Sequence, residues 1–152
     1  MSWFRRWFGG RSRVSEQALA ARVEALAARI DVAVPALAKT RSSTKKLELY
    51  SELIEATEAL QALELRGEAT ISPPPSQILP AFRREREELI RKEIEEIARK
   101  TMAASEAATV EKRAAIVQKA VQKAAEWEGL LPEGRVAQPV AELKSLLHVA
   151  RL

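Results

Sequence analysis

The chain has 152 residues, enough for one ordinary domain, and its lack of cysteine removes disulfides and thiolate metal sites. Charged residues make up 30% and aromatics 5%, and 27 residues are alanine, a composition that favours closely spaced helices over a large globular core. The net charge of +4 sits in the first 13 residues (Arg5, Arg6, Arg11, Arg13 and no acid), which argues against a broad phosphate-binding surface elsewhere.

The first predicted element is short. Trp3, Phe4, Trp7 and Phe8 are four of the seven aromatic residues. At about 100° per residue they share one side of a helix, with Arg5 and Arg6 behind them. The spacing predicts an amphipathic helix that Gly9 and Gly10 separate from the rest. A helix this short is unstable alone in water, so it is expected to form on docking. Burying four aromatics contributes about 6–12 kcal/mol at roughly 1.5–3 each. Ordering about eight residues costs about 8–16 kcal/mol at roughly 1–2 each. The two nearly cancel, so firm attachment calls for several linked copies. Tryptophan beside arginine suits an anionic membrane surface, and it equally suits a pocket on a partner protein. Residues 1–13 are read as anchor and hinge, with Trp3, Phe4, Arg5, Arg6, Trp7, Phe8, Arg11 and Arg13 as the gripping residues.

A first long helix is predicted over 15–38, capped by Ser12 or Ser15. Leu19, Val23, Leu26, Ile30, Ala33 and Leu37 recur at alternating spacings of four and three, a heptad seam expected to serve self-association. Pro35 is expected to kink or stop it. The polar stretch Lys39–Lys46 offers Ser42, Ser43 and Thr44 as caps for a second helix over 44–66. Leu47, Tyr50, Leu53, Ile54, Thr57, Leu60 and Leu63 give that helix a wide apolar face, and Gly67 is placed to stop it. Residues 14–67 thus form a helical pair.

Residues 68–80, with three consecutive prolines, read as a stiff extended linker. A long helix follows over 81–128, with a bend at 102–109 as the alternative. Its pairs Glu87–Arg91, Glu88–Lys92, Glu95–Arg99 and Glu96–Lys100 have the favourable acid-before-base order. Ile90, Ile94, Ile97 and Thr101 form one seam; Val110, Ala114, Val117, Val121 and Ala124 form another. Residues 129–152 read as a loop and a short terminal helix from Pro139, and no strand is predicted anywhere. The expected fold class is all-α: an elongated helical hairpin or bundle with coiled-coil-like seams and a short N-terminal amphipathic helix.

Catalytic and metal-binding side chains are scarce. Asp31 is the single aspartate and His148 the single histidine. No helical Glu-x-x-His pair and no Gly-rich phosphate loop occurs. The chain is therefore expected to be no enzyme and to use no metal or cofactor. Two basic clusters, Lys39/Arg41/Lys45/Lys46 and Lys112/Arg113/Lys119/Lys123, lack the interleaved aromatics that stack bases, so solvated charge is the favoured reading over nucleic-acid contact. No apolar run reaches the roughly 18 residues that cross a bilayer, and the start lacks the apolar stretch of a signal peptide. The expected location is cytoplasmic, peripheral to a membrane or within an assembled particle.

A short amphipathic start before Ala- and Glu-rich helices is similar to membrane-remodelling coat proteins, and equally to small helical proteins of phage particles. No motif carries a site residue over from either. The sequence thus predicts a non-enzymatic structural or assembly protein, homo-oligomeric and anchored at a membrane surface. Its alternatives are a virion or connector-type component whose N-terminus docks on a partner protein, and a weak nucleic-acid-binding accessory protein.

Overall fold

A computed structural model describes residues 5–7, 13–132 and 138–151, and among them the fold is all-α. The chain divides into two compact units, residues Met1–Arg86 and Glu87–Leu152.

In the first unit, helix α1 (Arg13–Lys39) packs along helix α2 (Ser43–Leu65). The turn between them follows from its polar residues. Ser42 adopts an extended conformation (φ −76°, ψ 120°), and its side-chain oxygen accepts from the Lys45 amide at 3.4 Å. That satisfies one of the first amides of α2, which have no partner inside the helix. At the other end the Gly67 amide donates to the Glu64 carbonyl and the Glu68 amide to the Leu63 carbonyl. This paired closure needs a left-handed residue, and Gly67 has φ +71°. A Cβ at Gly67 would meet nothing within 4 Å, so its cost is backbone strain alone. Gly67→Ala is expected to destabilise the unit by about 1 kcal/mol, with Gly67→Asn closer to wild type, as read from urea unfolding midpoints.

Pro35 does not stop α1. It removes one backbone donor, but Ala33 is buried before it and Leu37 packs on the core after it. That packing outweighs the interior-proline penalty of about 3 kcal/mol.

Strand β2 (Thr70–Ser72) pairs antiparallel with β1 (Arg5–Trp7), in the register Arg5↔Ser72, Arg6↔Ile71, Trp7↔Thr70. This corrects two expectations. A strand exists, and Arg5, Arg6 and Trp7 lie in it and not in an amphipathic helix. The physical reason is where backbone hydrogen bonds can be found. A lone short helix leaves most of its amides unpaired, whereas the β-branched pair Thr70-Ile71 is anchored by a buried Ile71 and presents a ready edge. Trp3, Phe4, Phe8 and Arg11 lie outside the described residues, and Arg13 opens α1.

Helix α3 (Pro75–Ala107) begins inside the stretch expected to be an extended linker. Pro75 is its first residue, where a missing amide costs nothing because that amide would be unpaired anyway. The Pro74 carbonyl accepts the first bond, from the Gln77 amide at 3.0 Å. Leu79 and Phe82 are buried on either side of exposed Pro80, with Ile78 packed on the same core, and hold the helix through this second proline.

The division between the units falls within α3. In the second unit helix α4 (Val110–Glu128) packs on α5 (Gln138–Arg151). The expected 81–128 helix is thus two helices, with a break at Ala108 and Thr109. The Ser105 carbonyl, near the end of α3, accepts from the Ala108 amide at 3.3 Å and from Arg113 Nε at 2.8 Å. Thr109 occupies the N-cap position without a side-chain bond, its carbonyl accepting from the Lys112 and Arg113 amides. Ile90, Ile94, Val117, Ala124, Val140 and Leu143 are among the buried residues of this unit.

Candidate functional site

The predicted self-association seam is spent inside the chain. Leu19, Val23, Ile30 and Ala33 are buried, and Leu26 and Leu37 are partly buried against the same core, which also contains Leu53, Ala56, Leu60 and Leu63 of α2. An apolar seam needs a partner, and a short turn supplies α2 before any second molecule can arrive. The buried members of the seam are therefore hairpin core and not a free oligomer face.

A second face of the hairpin stays open. Ala25, Ala28, Val32 and Ala36 of α1 line a groove of about 1000 Å³, with Lys45, Glu48, Leu49 and Glu52 of α2 on its other side. The α1 residues fall at spacings of three, four and four, one stripe of a helix adjoining its core-facing side. Three of the four are alanine, so the groove is shallow enough for another helix to come close. Val32 is 71% exposed, unusual for a branched apolar residue in the middle of a helix.

One ion-pair cluster crosses the groove. Arg29 Nε donates to Glu52 Oε1 at 2.5 Å, and Arg29 Nη2 lies 3.5 Å from Glu55 Oε1. The hydrogen bond from Arg29 holds the Glu52 carboxyl below its ordinary value of 4.5, opposed by desolvation and assisted by the charge of Arg29. The bond to Glu52 in turn raises Arg29. A depressed carboxylate contributes stability above its unfolded pKa, and that contribution is lost as pH falls through the folded value. Because the Glu52 side chain is 43% exposed, screening keeps the contribution to about 1 kcal/mol or less. Glu52→Gln is expected to lower stability by that small amount at pH 7 and to leave it unchanged at pH 2, as measured by urea unfolding at both values.

Charge along the hairpin is segregated. From Val32 to Leu47 the charged residues are Lys39, Arg41, Lys45 and Lys46, all basic. From Leu47 to Leu65 they are Glu48, Glu52, Glu55, Glu58 and Glu64, all acidic. Lys45 and Lys46 lie in the first turn of α2, where the helix dipole disfavours cations. The turn end of the hairpin is thus a positive tip beside a negative flank.

The remaining predicted features are dispersed. In the second basic cluster, Lys112, Lys119 and Lys123 are exposed along α4, while Arg113 turns back to Ser105. Three of the four acid–base pairs on α3 form at i, i+4, and Arg99 pairs with Glu96 at 2.5 Å instead of Glu95. Tyr50 packs against the first core, and His148 is exposed. Among the described residues no group of three His, Asp or Glu side chains converges as metal ligands do, and no helix is long and apolar enough to cross a membrane.

Comparison with protein families, with characterised proteins and with solved structures finds no match to this chain.

Proposed function

We propose that this chain is a non-enzymatic helical assembly protein that self-associates and holds to an anionic membrane surface through its N-terminal segment. The observation that carries the reading is the pairing of Arg5–Trp7 with Thr70–Ser72, within a segment that holds the whole net positive charge and four aromatics. The ladder changes the energetics of gripping. Three residues already have a fixed backbone in the folded chain, so their ordering cost, about 3–6 kcal/mol at roughly 1–2 each, falls on folding and not on docking. A preordered segment binds more tightly than one that must fold on arrival. Four arginines then meet lipid phosphates without a broad basic body behind them.

The test is co-sedimentation of the full chain with vesicles containing phosphatidylserine, wild type against a Trp3→Ser, Trp7→Ser double variant. Wild type is expected in the pellet and the double variant in the supernatant, with binding weakened by salt. Wild type remaining in the supernatant would sink the membrane reading.

The same ladder favours a second reading, in which the N-terminus docks on protein, as in a virion or connector component. Strand pairing is a general mode of protein–protein recognition, and here it already joins the segment to the chain's own backbone. Retention of the segment by a protein partner in the absence of lipid would support it. Salt-sensitive DNA binding that survives loss of residues 1–13 would point instead to an accessory role on nucleic acid.

A further inference from the structure

We propose that the α1–α2 groove is a two-fold interface that receives the same groove of a second copy, the two hairpins packing antiparallel. This rests on the reading of the chain as self-associating and names the surface that does it.

Shape provides the first argument. Val32 stands at the middle of the groove, with Ala25 seven residues before it and Lys39 seven after, about 10 Å each way along the helix. A two-fold axis at Val32 sets the two valines against each other and lays each alanine stripe along its counterpart. Small side chains allow interaxial distances of about 8–10 Å, and burial of a largely exposed valine supplies apolar area at the centre.

Charge fixes the occupant and its direction. An isologous interface must be complementary to itself, so each half needs both signs at separated positions. The hairpin has that pattern: bases at its turn end, acids along the rest of α2. The Arg29–Glu52 contact marks the register that core packing gives α1 against α2. With the axis at Val32, that register brings Lys39 and Lys45 of one copy level with Glu52, Glu55 and Glu58 of the other. A parallel arrangement would stack four bases on four bases. An anionic surface lacks this match, because beside Lys39 and Lys45 it would also meet Glu48 and Glu52 of the groove wall, which repel it.

The experiment uses the full chain without lipid, so its outcome is independent of the vesicle test. Sedimentation equilibrium is expected to give a dimer that dissociates on dilution. Val32→Glu is expected to weaken dimerisation about tenfold or more, since it sets two carboxylates together on the axis. Lys45→Glu and Glu55→Lys each place like charges at both symmetric positions and are expected to weaken the dimer similarly. Mixed together they restore opposite charges at both positions, and a heterodimer of wild-type strength is expected. Because the chain has no cysteine, Val32→Cys reports the axis directly. It is expected to form covalent dimers on mild oxidation much faster than Leu65→Cys, a position 79% exposed but away from the groove. Circular dichroism of each variant separates loss of association from loss of fold. A wild-type monomer at all concentrations overturns the proposal. So does a dimer indifferent to Val32→Glu. A monomeric Val32→Cys variant whose thiol is shielded from alkylation overturns it as well.

Discussion

Leu60→Ala is expected to destabilise the first unit by about 2–5 kcal/mol, a large effect for one truncated side chain. Leu60 is fully buried among α1 and α2 residues whose packing is the hairpin itself. Removing three carbons loses their transfer free energy and leaves a cavity that two helices held by a short turn can close only in part. The loss matters because a unit of this size is stable by only about 5–15 kcal/mol. Val32→Ala is the control. The side chain is as apolar as any in the core, but it is 71% exposed, and its loss is expected to change monomer stability by less than about 0.5 kcal/mol. Urea unfolding at low protein concentration measures both. A Leu60→Ala effect no larger than that of Val32→Ala would mean that α1 and α2 are not packed as a core.

The contrast also explains what the sequence can and cannot disclose. Heptad spacing from Leu19 to Leu37 locates an apolar seam, and Ser42 and Gly67 locate the ends of α2, because those signals act within a few residues of themselves. What a seam faces is not a local property. The same spacing serves a second copy or a neighbouring helix, and the three-residue connection at 40–42 decides for the neighbour. The groove stripe is present in the sequence as Ala25, Ala28, Val32 and Ala36. Alanine carries so little apolar weight that the stripe acquires meaning only once α2 forms its opposite wall.

The start of α3 misleads for a different reason. Three prolines signal extended chain when taken together, yet the last of them is at the one helical position where proline costs nothing. Ile78, Leu79 and Phe82, with spacing that fits a helical face, are the signal that corrects it. The β-ladder cannot be found this way at all. Its two strands are separated by more than sixty residues of helix and turn, and nothing in Arg5–Trp7 names Thr70–Ser72 as its partner. The Gly67 turn followed by β-branched Thr70 and Ile71 signals only half the pair.

That ladder makes Ile71 the second position of large effect. Ile71→Ala is expected to destabilise the first unit by about 2–5 kcal/mol, for Ile71 is 1% exposed and belongs to the same core as Leu60. Its consequence should differ in kind from that of Leu60→Ala. Leu60 lies in a helix whose backbone bonds are internal, so its loss weakens α1–α2 packing as a whole. Ile71 holds a three-residue strand that has only a few backbone bonds, and its buried side chain helps keep that strand in place. Amide hydrogen exchange should therefore quicken first at Arg5–Trp7 and Thr70–Ser72, under conditions where α1 and α2 remain protected. On the proposed membrane reading, the same substitution also reaches docking. With β1 released, the ordering cost of Arg5–Trp7 returns to the docking step, and vesicle binding is expected to weaken although no residue of the N-terminal segment has changed. Ile71→Val, which removes one methylene, should cost about 0.5–1.5 kcal/mol and leave both exchange order and vesicle binding near wild type. Uniform exchange across both elements in Ile71→Ala would mean that the ladder is no separate unit. Unaltered vesicle binding would mean that the order of the ladder plays no part in the proposed membrane contact.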